Sequence, residues 1–319
     1  MNRTSIGRAV VPGITVLALL LSACGGGDAG AAPGDDVASG SVAVDGSSTV
    51  YPMSDTAAEM LSEENSGIET SVGFAGTGGG FEKFCAGEID VADASRPIKE
   101  DEEVPVCEEN GVEYTELLVA TDALTVVVHP ELAVDCLTTD QVVDLFGPGS
   151  KVSTWSDLDP SFPDQEIAGF IPGSDSGTYD YMAADVVGDE SETLRDDFEA
   201  SEDDNVLVQG VAGTEGSVGF FGYTYYKENS DTVKALAIDD GNGCVEPSAE
   251  TAQAGEYTPL SRPLFIYVSN ASYNDNEAVR TYVDFYIENL ATIAETAQYI
   301  PLNDKDYAAT QEALAGISG

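Results

Sequence analysis

The chain has 319 residues, of which 58 are Asp or Glu and 12 are Lys or Arg, for a formal net charge of -46 at pH 7. That balance excludes nucleic acid and anionic membrane surfaces as partners. An apolar fraction of 42% argues against disorder, so the acids clothe a folded body, of a kind that suits a saline exterior.

The first element is an export signal. Arg3 and Arg8 precede an apolar run from Val16 to Leu21, which is followed by Leu21-Ser22-Ala23-Cys24. The run falls short of the ~20 residues that span a bilayer. A cysteine directly after Leu-Ser-Ala resembles the bacterial lipobox, so residues 1–23 are expected to be removed and Cys24 to carry the lipid. Residues 24–40 are Gly, Ala, Asp and Ser with almost no large apolar side chain, which describes a flexible tether. The remaining ~280 residues are enough for one large or two medium lobes.

Apolar and β-branched runs then recur at Val42–Val44, Thr70–Phe74, Leu117–Val128, Ile167–Ile171, Val218–Phe221 and Leu264–Val268. Amphipathic segments lie between them: Met53, Ala57, Met60 and Leu61 share one face, as do Val279, Val283, Tyr286, Leu290 and Ile293. The alternation predicts an α/β fold. Besides Cys24 there are Cys85, Cys107, Cys136 and Cys244, an even number that in an exported chain favours disulfides, with three pairings open. Zinc fits less well, since there is no Cys-x-x-Cys and the sole histidine, His129, has no partner at ligand spacing.

Three places share one local grammar, a strand followed by a Gly, Ser and Thr turn and then a helix start. They are Asp45-Gly46-Ser47-Ser48-Thr49-Val50, Gly76-Thr77-Gly78-Gly79-Gly80 and Gly173-Ser174-Asp175-Ser176-Gly177-Thr178. A helix start offers unpaired backbone N–H groups and the positive end of the macrodipole. Glycine admits a ligand close to the backbone, and hydroxyls add rotatable donors. Each turn taken singly is equally well read as an ordinary N-cap. As a set of three they suggest an anion site.

At this point the residues resemble the substrate-binding proteins of phosphate ABC transporters, the PstS family. Besides the first two turns, the matching stretches are Ala94-Ser95-Arg96-Pro97-Ile98, Asp122-Ala123-Leu124-Thr125-Val126-Val127-Val128 and Pro172 to Thr178. Gly213-Thr214-Glu215-Gly216-Ser217-Val218-Gly219-Phe220 and Pro259-Leu260-Ser261-Arg262-Pro263-Leu264 also fit. The resemblance implies a two-lobed, type II periplasmic-binding-protein fold, with a hinge and phosphate clamped in the cleft between the lobes. Lobe 1 is expected from residues 41–121 and 263–319, and lobe 2 from residues 122–262. It implies ligand donors at Ser48, Thr49, Thr77 and Gly78 on lobe 1 and at Ser176, Gly177 and Thr178 on lobe 2, with Ser174 and Asp175 beside them.

Two departures from the family pattern bear on the ligand. Ser95 stands where many members carry an aspartate that accepts the proton of hydrogen phosphate, and Pro172 stands where many carry an arginine. Arg96 is expected to supply the cation, since a guanidinium can bind phosphate bidentately, with Arg262 in reserve. Asp175, Asp45 and Asp93 are the alternatives for the acceptor carboxylate. The lobe assignment pairs Cys85 with Cys107 and Cys136 with Cys244. The resemblance further implies a monomer on the outer face of the cell membrane, held only by its lipid and delivering phosphate to permease subunits, with no cofactor, metal or catalytic residue. Sulfate, molybdate or a phosphorylated solute is the alternative ligand, and a sensor the alternative role. Hydrolysis at Ser174-Asp175-Ser176-Gly177 fits poorly, because a serine nucleophile needs a histidine and His129 lies at a strand end before Pro130.

Overall fold

The computed structural model describes residues 38–174, 176–188 and 193–317. The expected signal, Cys24, most of the tether and Asp175 lie outside the described residues.

The chain begins as a βαβαβ run, in which β1 (Gly40–Gly46) lies parallel to both β2 (Ile68–Val72) and β3 (Val91–Ala94). Parallel neighbours need crossovers, and α1 (Tyr51–Glu64) and α2 (Thr77–Cys85) supply them. The long strand β4 (Tyr114–Val128) follows. After it come β5 (Cys136–Thr138), β6 (Ala168–Pro172), β7 (Glu199–Ser201), β8 (Ser217–Gly222), β9 (Lys234–Ala235), β10 (Ala237–Asp239), β11 (Cys244–Val245) and β12 (Ser261–Ser269). The main sheet runs β2-β1-β3-β12-β4-β8-β6-β7, with β9 paired to the far end of β4. Strands β11, β10 and β5 form a small second sheet.

Strand β4 changes partner along its length. Its residues 114–123 pair antiparallel with β12, and its residues 124–128 pair antiparallel with β8. The apolar core changes with it. One cluster gathers Val42, Met53, Val119, Ala120, Leu264 and Tyr282, and another gathers Leu124, Val126, Trp155, Phe220, Tyr257 and Leu260. β4 therefore passes from one core into the other, and the chain crosses back between Leu260 and Leu264, at the start of β12.

Two expectations about helices change. The apolar face from Val279 to Ile293 is carried by two helices, Glu277–Glu288 and Leu290–Thr296, which meet at Asn289. There the backbone leaves helical geometry (φ -103°, ψ 12°), and the side-chain amide donates to the Phe285 carbonyl at 2.9 Å. Asparagine competes with the helix for backbone partners in this way. The third turn opens not onto a regular amphipathic helix but onto a single α-turn, Gly177–Asp180, that runs into a π-helix, Tyr181–Val187. A π-helical turn of this kind is rare and recurs at functional sites.

Cys85 at the end of α2 is joined to Cys107, with S–S 2.03 Å, and Cys136 on β5 is joined to Cys244 on β11, with S–S 2.01 Å. These are the two pairs that the lobe assignment implies. Among the described residues no helix is long and apolar enough to cross a membrane.

Candidate functional site

The first turn leaves β1 at Gly46, which has φ +142° and lies so close to β3 that a Cβ would meet the Asp93 carbonyl oxygen at 2.2 Å. The Ser47 N–H donates to that carbonyl at 2.9 Å, which anchors the turn to β3. Gly80 lets α2 press onto the same place, since a Cβ there would stand 2.6 Å from the Gly46 Cα. These two close approaches, open only to glycine, set the first and second turns side by side.

In neither turn does a side chain cap its helix. The Thr49 hydroxyl instead accepts from Arg262 Nη2 at 2.7 Å. The Thr77 hydroxyl accepts from the Ser95 N–H at 3.2 Å and lies 3.1 Å from the Ser95 hydroxyl. Among the described residues, the backbone N–H groups of Ser48 and Thr49 donate to no acceptor. Thr77 and Gly78 open α2, where N–H groups have no intrahelical partner. The turns thus offer donors toward the cleft, which an ordinary cap would have used up.

These donors line a cleft of about 800 Å³. Six of the expected residues come together there: Ser48, Thr49, Thr77, Gly78, Ser95 and Arg96. The third turn contributes differently from the expectation. Ser176 caps its own short helix, accepting from the Thr178 N–H at 3.2 Å, and Gly177 lies beside Thr49, whose hydroxyl would stand 4.0 Å from a Cβ added to that glycine. The walls from this segment are Asp180, Tyr181, Ala184 and Asp185. They lie one and two turns beyond the glycine motif, where no pattern in the sequence marks them.

Both cationic side chains of the lining are already engaged. Arg96 forks onto Glu103, with Nη2 to Oε1 at 2.8 Å and Nη1 to Oε2 at 2.9 Å, and lies 5.5 Å from the Phe81 ring centroid. The bond to Glu103 raises the Arg96 pKa. Burial raises the Glu103 pKa, but the bonds from Arg96 and the Lys99 N–H bring its carboxyl below the ordinary value. Arg262, the reserve candidate, is the more deeply set, with its side chain 11% exposed. Its Nε donates to Asp122 Oδ2 at 3.2 Å and its Nη1 to Asp185 Oδ2 at 2.5 Å, and the guanidinium lies 3.6 Å from the Tyr181 ring centroid. Burial raises the Asp122 carboxyl above its ordinary value against the pull of Arg262.

The acceptor candidates fall elsewhere. Asp45 is occupied by the Lys83 ammonium and by the N–H groups of Gly46 and Ala75; burial raises its pKa, but these bonds carry it below the ordinary carboxylate value. Asp93 turns into the core beneath the first turn, accepting from the Ser54 hydroxyl at 2.7 Å, and burial raises its pKa to about 8. Neither lines the cleft.

The PBP superfamily domain matches residues 31–289. Protein SphX of Synechococcus elongatus is 45% identical over 282 residues, covering 87% of this chain and 82% of its own. The phosphate-binding protein PstS of Staphylococcus saprophyticus is 38% identical over 306 residues, covering 94% and 92%. Among solved structures, a possible phosphate binding protein from Planctomyces limnophilus superposes with a TM-score of 0.84 at 40% identity, over 88% of this chain and all of the other. An ABC-type phosphate transport receptor from Vibrio cholerae, at 21% identity and a TM-score of 0.61 over 82% of this chain and all of the other, shares the fold. With a type II periplasmic-binding fold and relatives of this identity over nearly its whole length, the chain belongs to the PstS family of substrate-binding proteins within the PBP superfamily.

Proposed function

We propose that this chain captures inorganic phosphate outside the cell and delivers it to the permease subunits of an ABC-type importer. The observation that carries the reading is the convergence of Ser48, Thr49, Thr77, Gly78, Ser95, Arg96 and Arg262 on one cleft. Strong overall negative charge does not oppose it, because fields are screened beyond ~8 Å at physiological salt and the donors act at contact. Family membership supports a binding role rather than an enzymatic one.

In this reading the change of core along β4, and the return between Leu260 and Leu264, mark the passage between lobe 1 (41–121 and 263–319) and lobe 2 (122–262). Closure carries Ser176, Gly177 and Thr178, with Asp175, onto the anion from the second side. Cys24 bears the lipid that holds the monomer at the outer face of the membrane.

Calorimetry of the mature, delipidated protein against phosphate, sulfate, molybdate and phosphate esters tests the reading. A one-to-one phosphate isotherm with weaker sulfate is expected, and preference for another anion overturns it. The sulfate and molybdate arms matter because Ser95 replaces the usual aspartate and neither Asp45 nor Asp93 reaches the cleft.

A further inference from the structure

We propose that Asp185 is an internal competitor for the anion: its carboxylate holds a place on the Arg262 guanidinium that an incoming tetraoxyanion takes, and capture displaces it. The inference rests on the reading of the cleft as a phosphate site.

The geometry around Arg262 separates its two acidic partners. Asp122 is its cross-strand neighbour, with Arg262 on β12 and Asp122 on β4 in register, and its side chain is 9% exposed. That carboxylate is fixed by the strands and acts as a standing counter-ion. Asp185 comes from the π-helix, is 55% exposed and touches the guanidinium through one oxygen. With its Asp185 end half in water, this pair is the more readily exchanged of the two.

The guanidinium N–H groups lie in its plane, so an oxyanion meets Arg262 at its edge, and the Tyr181 ring covers one face at 3.6 Å. Along that edge Nε is given to Asp122, Nη2 to Thr49 and Nη1 to Asp185. Bidentate capture of an oxyanion needs adjacent N–H groups facing the ligand. Of the three partners, Asp185 is the charged one that can leave. Its departure removes a negative charge from the path of the anion and frees Nη1, so affinity is set below what the donors alone would give.

The test compares wild type with Asp185→Asn by calorimetry against phosphate, at ~0.1 M and ~1 M salt, where the Debye length falls from ~10 Å to ~3 Å. Asp185→Asn is expected to bind about tenfold more tightly, or about 1.4 kcal/mol, and to keep most of that gain at high salt. A gain that vanishes at high salt marks a through-space charge effect and overturns the inference, as does unchanged or weaker binding. Wild-type binding separately tests the function, and failure of both proteins to bind phosphate overturns both. A phosphate-bound crystal structure gives a second readout, with Asp185 expected beyond the ~4 Å ion-pair limit from Arg262. Persistence of the pair beside bound phosphate sinks the proposal even if the affinities differ.

Discussion

Arg262 Nη2 donates to the Thr49 hydroxyl at 2.7 Å, a bond between residues 213 apart that ties strand β12 to the first glycine turn. The same guanidinium holds Asp122 and lines the cleft. Arg96 differs, since its partner Glu103 lies outside the cleft lining and its side chain is 35% exposed.

The two arginines should therefore fail differently. A charged hydrogen bond contributes ~1.5–3 kcal/mol net, so Arg96→Ala should weaken phosphate by roughly one to two decades with little change in melting temperature. Arg262→Ala should weaken binding and also destabilise the fold by ~3–5 kcal/mol, because Asp122 is left buried without its counter-charge. Calorimetry and thermal melts of the two variants decide this; normal phosphate binding by Arg96→Ala would remove that residue from the site.

Asp93 makes stability depend on pH. In the unfolded chain this carboxyl loses its proton near 3.8, whereas in the fold it keeps the proton up to about 8. The native state thus binds more protons in that window, and this group's contribution to stability falls as pH rises from 3.8 toward 8 and is level above. The largest slope from one proton is ~1.4 kcal/mol per pH unit. Asp93→Asn should remove that slope and be the more stable protein at pH 7. Denaturant melts of both proteins from pH 4 to 9 check it, and parallel profiles would count against a protonated Asp93.

The disulfides close loops of unequal length, with partners 22 and 108 residues apart. In the chain-entropy model these constrain the unfolded chain by ~3 and ~5 kcal/mol, respectively. Replacing Cys136 and Cys244 by serine should lower the denaturation midpoint more than replacing Cys85 and Cys107. Non-reducing peptide mapping that found Cys85 linked to Cys136 or Cys244 would break the argument.

Cys24→Ser should release the protein into the medium or block its maturation, since a single residue carries the expected lipid. Cell fractionation reads the outcome, and unchanged membrane retention of the variant would show that another feature anchors it.

The sequence by itself determined the parts of this protein that depend on near neighbours in the chain. Strand and helix periodicity placed β1, β4, β8 and β12, and the glycine and hydroxyl turns suggested an anion site, because a turn's backbone geometry is written in three or four adjacent residues, while donors at Ser48, Thr49, Thr77 and Gly78 were what the family resemblance implied. The single face from Val279 to Ile293 misled, because its periodicity continues across Asn289 while the backbone breaks there. Only the tertiary structure decided which charges meet the turns. Arg262 meets Asp122 because β12 pairs with β4 there, and Asp185 and Tyr181 reach Arg262 because a π-helix turns them into the cleft. The buried state of Asp93 is likewise a product of packing, since a carboxyl two residues before Ser95 has no local mark that tells core from cleft. Such pairings depend on strands and helices brought together from distant parts of the chain, and no spacing within a short window encodes them.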